Sequence, residues 1–441
     1  MATIDVLQAF LTDEKAWEMY ITGKAGTGKT TTLKEVVEYC LANQIDYMVC
    51  AFTHKACTVL EEKLPDNANI TTLHSYLRKR PTINDSAVHK AHVDVRSRMG
   101  ESERPDIVIV DEFSMVGEDD YVDIMGMQDP HDEGAKPIKA LYVGDPYQLP
   151  PVGDMQTIKP KGKYWVKLEK VYRTECDDLL SAMVKLTDMI DGADMEPLGS
   201  SQNLIRGQCL IQSYKASTST DKVCLAWTNK AVQQLNEAIA GKTQPDPSDD
   251  LWCPTLRHEF TLEAFLPKTG ALPIVRTPRS SLGPNSKYKT LEFLQELPEV
   301  SFARVYDSTA EEVVNIAYIF GHYTYKQIIN DLTEAAVAVN NQIKAIAGGD
   351  IKPAQWASQN QGHGLTRKRA KAWRKLLAIK EAVLCIDFPY AMTIHKSQGS
   401  TYEEVYLDSE DLSMCGNTDA KMYLKLFYVA LSRASHKVIT N

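Results

Sequence analysis

The sequence predicts an α/β fold built on parallel sheets, and three stretches carry that prediction. Gly23-Lys24-Ala25-Gly26-Thr27-Gly28-Lys29-Thr30 fits the phosphate-loop pattern G-x-x-x-x-G-K-[ST] at every specified position and follows the short apolar run Met19-Tyr20-Ile21. Ile107-Val108-Ile109-Val110 is apolar without alternation, as in a central parallel strand covered on both faces, and it ends in Asp111-Glu112. Ala140-Leu141-Tyr142-Val143 repeats the pattern and ends in Gly144-Asp145-Pro146-Tyr147-Gln148-Leu149-Pro150-Pro151.

Taken in order, the first stretch reads as a nucleoside-triphosphate site. Gly23, Gly26 and Gly28 let the backbone wrap a phosphate chain with its N–H groups turned inward. Lys29 supplies a positive charge for the β- and γ-phosphates and Thr30 a hydroxyl for Mg²⁺, while Thr27 and Thr31 complete the nucleotide-binding set. Leu33, Val36, Val37, Cys40 and Leu41 recur at helical spacing, so the loop opens a helix whose N-terminus faces the anion. In the second stretch, Asp111 is the candidate to hold Mg²⁺ and Glu112 the candidate to orient and deprotonate the attacking water. In the third, Gln148 is either a γ-phosphate sensor, if its strand lies beside the one ending in Asp111, or a solvated glutamine in a proline-rich turn.

Composition bounds the rest. At 441 residues, 44% hydrophobic and 24% charged, the chain is long enough for two to four globular domains. No apolar stretch approaches bilayer length, and Met1-Ala2-Thr3-Ile4-Asp5 lacks the basic and apolar regions of a signal peptide, so a cytoplasmic protein without a membrane partner is expected. Nine scattered cysteines without a C-x-x-C pair argue for a reducing compartment and against disulfides and structural zinc. The net charge of −9 speaks against a protein that coats nucleic acid, yet leaves room for one with a locally basic groove.

Val223-Cys224-Leu225-Ala226-Trp227 reads as a second buried strand, and Thr228-Asn229-Lys230 opens a helix with the apolar stripe Val232, Leu235 and Ile239. The polar, basic stretch 75–105 interrupts the α/β alternation as either a small inserted subdomain or a solvated loop. After Thr243-Gln244-Pro245-Asp246-Pro247 comes a long insertion with strand-like pieces such as Val300-Ser301-Phe302-Ala303-Arg304-Val305, which then turns helical. Its run Arg367-Lys368-Arg369-Ala370-Lys371-Ala372-Trp373-Arg374-Lys375 is either a phosphate grip with Trp373 as a stacking surface or a solvated helix face.

The motif order resembles the superfamily 1 helicases, and within them the RecD-like group, over almost the whole chain. Ala51-Phe52-Thr53-His54-Lys55-Ala56 resembles motif Ia, Thr71-Thr72-Leu73-His74-Ser75 motif Ib, residues 144–151 motif III and Val171-Tyr172-Arg173 motif IV. Thr393-Ile394-His395-Lys396-Ser397-Gln398-Gly399 resembles motif V, and Tyr428-Val429-Ala430-Leu431-Ser432-Arg433-Ala434 motif VI. The resemblance implies two RecA-like domains with parallel sheets, residues 1–192 forming the first and 193–245 with 384–441 the second. Residues 246–383 are then the insertion, SH3-like and helical.

It further implies an ATP-dependent DNA helicase using ATP and Mg²⁺, monomeric, moving 5′→3′ on single-stranded DNA and opening single-strand/duplex junctions in replication, recombination or repair. Single-stranded-DNA-binding or replisome proteins would be compatible partners. Arg173 and Arg433 become the guanidiniums that stabilise γ-phosphate charge, and Tyr172 the adenine platform unless it is core. Gly399 joins the nucleotide set. Thr53, His54, His74, Thr393 and His395 become the phosphate grips on DNA, while Lys396 and Gln398 lie between DNA and nucleotide. Gln8 is the sole candidate for the family's adenine-reading glutamine. A motor subunit of a nuclease complex and a non-motor nucleotide switch are the rival readings.

Overall fold

The computed structural model describes residues 3–52, 54–77, 104–128, 138–151, 157–170, 176–243, 250–253, 286–296, 301–307, 312–347, 352–382 and 384–441. They form two compact units, one holding the chain through Trp227 together with Thr393–Asn441, the other within Thr228–Met392.

The first unit opens with helix α1 (Thr3–Thr12), which buries Leu7 and Phe10. Strand β1 (Glu18–Gly23) runs through the phosphate loop into α2 (Lys29–Ala42). The buried face of α2 is Leu33, Val36, Val37 and Cys40, the three-and-four spacing of an amphipathic helix. There follow β2 (Tyr47–Ala51), α3 (His54–Glu61), β3 (Ile70–Thr72), α4 (Leu73–Tyr76), β4 (Ile107–Asp111), α5 (Glu118–Gln128), β5 (Lys139–Gly144), β6 (Trp165–Leu168) and α6 (Asp177–Ile190). The sheet order is β3-β2-β4-β5-β1-β6 with every pairing parallel.

Successive side chains of a strand point to opposite faces, and here both faces are covered. Ile107, Ile109, Leu141 and Val143 join α1 and α2 in one cluster, whereas Val108, Val110, Ala140 and Tyr142 join Phe113 and Ile124 in another. That is why these strands read as unbroken apolar runs.

The first unit continues with β7 (Leu204–Ile205), α7 (Leu210–Ala216) and β8 (Lys222–Ala226). The second unit begins with α8 (Asn229–Ala240), capped by Thr228, whose hydroxyl accepts from the Ala231 N–H, and closed by Gly241 at φ 73°. Strands β9 (Asp250–Cys253), β10 (Ser286–Glu296), β11 (Ser301–Asp307) and β12 (Glu312–Phe320) form an antiparallel sheet, and helices α9 (His322–Ala347), α10 (Pro353–Gln359) and α11 (Gly364–Ala382) follow. Strand β13 (Leu384–Ile386) then pairs parallel with β12. The insertion is thus strands first and helices second, the order read from its sequence.

The chain returns through β14 (Ala391–Thr393) to β15 (Tyr402–Leu407), α12 (Ser409–Gly416), α13 (Ala420–Leu431) and β16 (Ala434–Thr440). In the first unit β8, β15, β16 and β7 lie side by side in that order, again all parallel. The chain therefore carries two separate parallel sheets, as expected of two RecA-like cores.

Within the second unit, fully buried Asn236 on α8 ties the turn that precedes β14. Its Nδ2 donates to Asp387 Oδ1 at 3.0 Å and to the Ala391 carbonyl at 3.3 Å, and its Oδ1 accepts from the N–H groups of Tyr390 and Ala391 at 3.1 and 2.8 Å. Asn236→Ala removes four hydrogen bonds from this buried turn. It should lower stability by about 2–4 kcal/mol, read from the midpoint of urea unfolding.

Candidate nucleotide site and nucleic-acid interface

A parallel sheet places the carboxyl ends of all its strands at one edge. In the first sheet that edge gathers the loop after β1, Phe52 after β2, Thr72 and His74 after β3, Asp111 and Glu112 after β4, and residues 145–148 after β5. The phosphate-loop strand β1 lies next to β5, and β5 next to β4, with Asp111 level with Val143. The condition set for Gln148 as a sensor, a strand beside the one ending in Asp111, is met.

The loop is shaped by its glycines. Gly26 and Gly28 both stand at φ 81°, a conformation that side chains resist. A Cβ at Gly23 would run into Thr27 Oγ1 and the Leu168 backbone. Buried Thr27 braces the turn by donating to the Lys24 carbonyl at 2.9 Å. Lys29 Nζ donates to the carbonyls of Gly23 (2.8 Å) and Lys24 (3.0 Å), which holds its charge against the loop. Thr30 and Thr31 follow in the first turn of α2, Thr30 half-buried and Thr31 exposed. This is a cradle of amide N–H groups, a helix N-terminus and one ammonium, the equipment of an anion site.

Beside it, Glu112 holds φ 55° and ψ 51°, a left-handed conformation costly for a residue with a Cβ. Its Oε2 is buried without a hydrogen-bond partner. The Asp111 carboxyl is pushed up to about 7, first by desolvation and then by Glu112, against the pull of Lys29. Two crowded carboxyls, with Glu112 Oε2 unpartnered, beside a hydroxyl-bearing helix start fit a divalent cation, with Thr30 and Asp111 as the residues that would hold it. Among the described residues no cluster of three or more His, Cys, Asp or Glu side chains could hold a metal by itself.

The second sheet's loops reach this edge within the same unit. Buried Tyr428, on α13, donates its hydroxyl proton to Asp145 Oδ2 at 2.7 Å and accepts from the Ala25 N–H at 3.3 Å. Lys425, one turn earlier, donates to the carbonyls of Pro146 (3.2 Å) and Gln148 (3.0 Å). Gln398 Nε2 donates to Gln148 Oε1 at 3.2 Å. Arg433 is 1% exposed just past α13, and its guanidinium donates to the Val429 and Ser400 carbonyls and to Ser432 Oγ. Gly399 stands at φ 78° with open space around its Cα, so backbone conformation alone demands glycine there.

Of the grip candidates, Thr393 is buried at the end of β14 and caps the following turn by accepting from the Lys396 N–H at 3.4 Å, and His395 is half-buried in that turn. His74 is exposed on α4, with Nε2 3.4 Å from Asp120 Oδ2 and its ring edge-on to Phe52. His54 opens α3, its side chain outside the described residues, as are Thr53, Tyr172 and Arg173. The stretch 78–103 lies outside them too. Gln8 is exposed on α1. In the second unit the basic run sits on α11, with Arg367, Lys368 and Lys371 exposed; Arg369 stacks over Trp373 at 5.6 Å and donates to buried Asn340, so that face of Trp373 is already taken.

Sequence reasoning passed over Asp145, Lys425 and Tyr428 as individual residues. The available signal was a lysine interrupting the apolar run Leu424-Lys425-Leu426-Phe427-Tyr428, since a buried ammonium requires carbonyl partners.

Loop, carboxylate pair and paired parallel sheets define a phosphate-loop nucleotide hydrolase in which residues following the second sheet bond to the phosphate loop and to the turn after β5. Residues 8–154 match the AAA domain family and residues 388–440 the UvrD-like helicase C-terminal domain. The chain is 24% identical to the uncharacterized protein R530 of Acanthamoeba polyphaga mimivirus over 99% of this chain and 97% of that protein. It is 23% identical to the ATP-dependent DNA helicase Pif1 of Psychrobacter sp. over 94% of this chain, spanning 64% of that relative's length. With the ATP-dependent RecD2 DNA helicase of Deinococcus radiodurans it shares 32% identity over 38% of this chain and 21% of that protein. These matches support an ATP-dependent DNA helicase similar to the superfamily 1 enzymes. No helix among the described residues is long and apolar enough to cross a membrane.

Burial, with Lys421 nearby, pushes the Lys425 ammonium down to about 8 from the ordinary lysine value of 10.5, against the pull of Asp145. Because the unfolded chain then holds this proton more tightly than the fold, the charged side chain costs stability below pH 8, and the cost is relieved as pH rises through the window between these values. Wild type should therefore gain stability relative to Lys425→Met as pH is raised above 8, measured as urea midpoints of both proteins.

Proposed function

We propose that this ATP-dependent DNA helicase translocates 5′→3′ along single-stranded DNA and separates duplex at a junction, as a monomer of the RecD-like group that includes the phage helicase Dda. The observation that carries the reading is the Gln148–Gln398 hydrogen bond, which joins the strand end beside the phosphate loop to motif V. The likeness to RecD2 supports the group. Residues 1–192 act as one RecA-like domain and 193–245 with 384–441 as the other, with 246–383 inserted and its strands SH3-like.

Bound ATP with Mg²⁺ supplies the phosphoanhydride whose hydrolysis drives the cycle. The loop amides and Lys29 bind the phosphates, and Thr30 and Asp111 hold the metal. Glu112, with its unpartnered Oε2, orients the attacking water and takes its proton. Arg173 and Arg433 stabilise charge on the γ-phosphate, and Tyr172 stacks on the base. Thr53, His54, His74, Thr393 and His395 hold successive phosphates without reading bases, so the grip is indifferent to sequence. Unwinding of this kind serves replication, recombination or repair, where single-stranded-DNA-binding or replisome proteins are fitting partners.

Hydrolysis by the wild type should rise at least tenfold on adding single-stranded DNA, and Lys29→Ala should abolish it, measured as phosphate release with and without a poly-dT oligonucleotide. Hydrolysis indifferent to DNA would remove the motor and leave a nucleotide switch. Duplexes with a 5′ tail should be opened and those with a 3′ tail left intact in a strand-displacement assay; the reverse preference refutes the stated direction.

A further inference from the structure

We propose that Tyr428 is a positioning residue that couples the phosphate loop to the loop after β5, and through it to motif V. The inference rests on the motor reading above and names one of its moving parts.

The geometry is a continuous chain of hydrogen bonds inside the first unit. The Ala25 N–H, in the middle of the phosphate loop, donates to the Tyr428 hydroxyl at 3.3 Å, and that hydroxyl donates to Asp145 Oδ2 at 2.7 Å. The other oxygen of Asp145 accepts from the Tyr147 N–H at 3.0 Å, and its carbonyl accepts from the Gln148 N–H at 3.2 Å, so the carboxylate sets the turn that aims Gln148. Gln148 Oε1 then accepts from Gln398, whose own N–H donates to the His395 carbonyl at 3.4 Å. Tyr428 and Asp145 are both fully buried, and Gln148 is 2% exposed.

Burial makes the link directional and hard to replace. With no water to substitute, a displaced partner leaves a desolvated hydroxyl or carboxylate, so the bonded partners shift together. The Ala25 amide lies in the loop that wraps the phosphates, so a change of loop conformation is felt first at the Tyr428 hydroxyl. Lys425 holds the Pro146 and Gln148 carbonyls from the same helix, which makes α13 the rigid body against which this loop is set.

Tyr428→Phe removes only the hydroxyl and leaves the ring packed. It should reduce the DNA-stimulated kcat about tenfold while the KM for ATP stays within about twofold, because the phosphate cradle and Lys29 are intact. Asp145→Ala should cause a similar loss, and the double variant should be no worse than the more damaged single one, as for two ends of one link. Thermal melting of the variants monitors folding, and a loss of stability by itself predicts additive effects, which the cycle separates from coupling. Strong DNA stimulation in wild type with full stimulation retained in Tyr428→Phe overturns this inference alone, as does strict additivity in the double variant. Absence of DNA stimulation in wild type overturns the motor reading and this inference with it.

Discussion

The carboxyl edge of a parallel sheet is the constraint on which everything else here depends. Because β1, β5 and β4 run the same way and lie side by side, the phosphate loop, the Asp145 turn and the Asp111–Glu112 pair emerge together without any long excursion of chain. The same geometry in β2 and β3 delivers Phe52 and His74 farther along the edge. In the proposed function one edge serves both a nucleotide and a polymer, with a few strand spacings of about 4.8 Å each between the two tasks. Coupling over that span needs only short side chains.

Charge is handled at this edge by concentration. Lys29 leans on loop carbonyls, buried Lys425 on two carbonyls of the Asp145 turn, and buried Arg433 on a helix end and the Ser400 carbonyl, so each of these three cations is met by backbone oxygen. The anions are less well satisfied: Glu112 keeps an orphan oxygen in a left-handed backbone conformation, and Asp111 is crowded by it. Strain and unmet acceptor capacity collect where the proposed function puts a metal and the attacking water, a familiar division between structural and reactive parts of a fold.

Much of this was legible in the chain. The phosphate loop announced itself by glycines whose left-handed backbone the structure shows at Gly26 and Gly28, and the buried strands by apolar runs long enough to cover two faces. The order of motifs separated a helicase from other phosphate-loop proteins. Less could be read where a residue's role depends on who approaches it. Gln148 carried two readings, and its burial beside β4 with Gln398 bonded to it removes the solvated one. The basic run on α11 also carried two readings, and what the chain could not show is that Arg369 lies over one face of the Trp373 ring.

By itself the sequence determined the local chemistry: which loop binds phosphate, which strand ends in carboxylates, which helices have a core-facing stripe. These follow from backbone sterics and from residue periodicity, both of which act over a few positions. Only the tertiary structure decided that a tyrosine in α13 would bridge the amide of Ala25 and the carboxylate of Asp145, residues roughly 400 and 280 positions away. Such a bond is created by the packing of one sheet's loops against another's, and no periodicity along the chain encodes a distance in space.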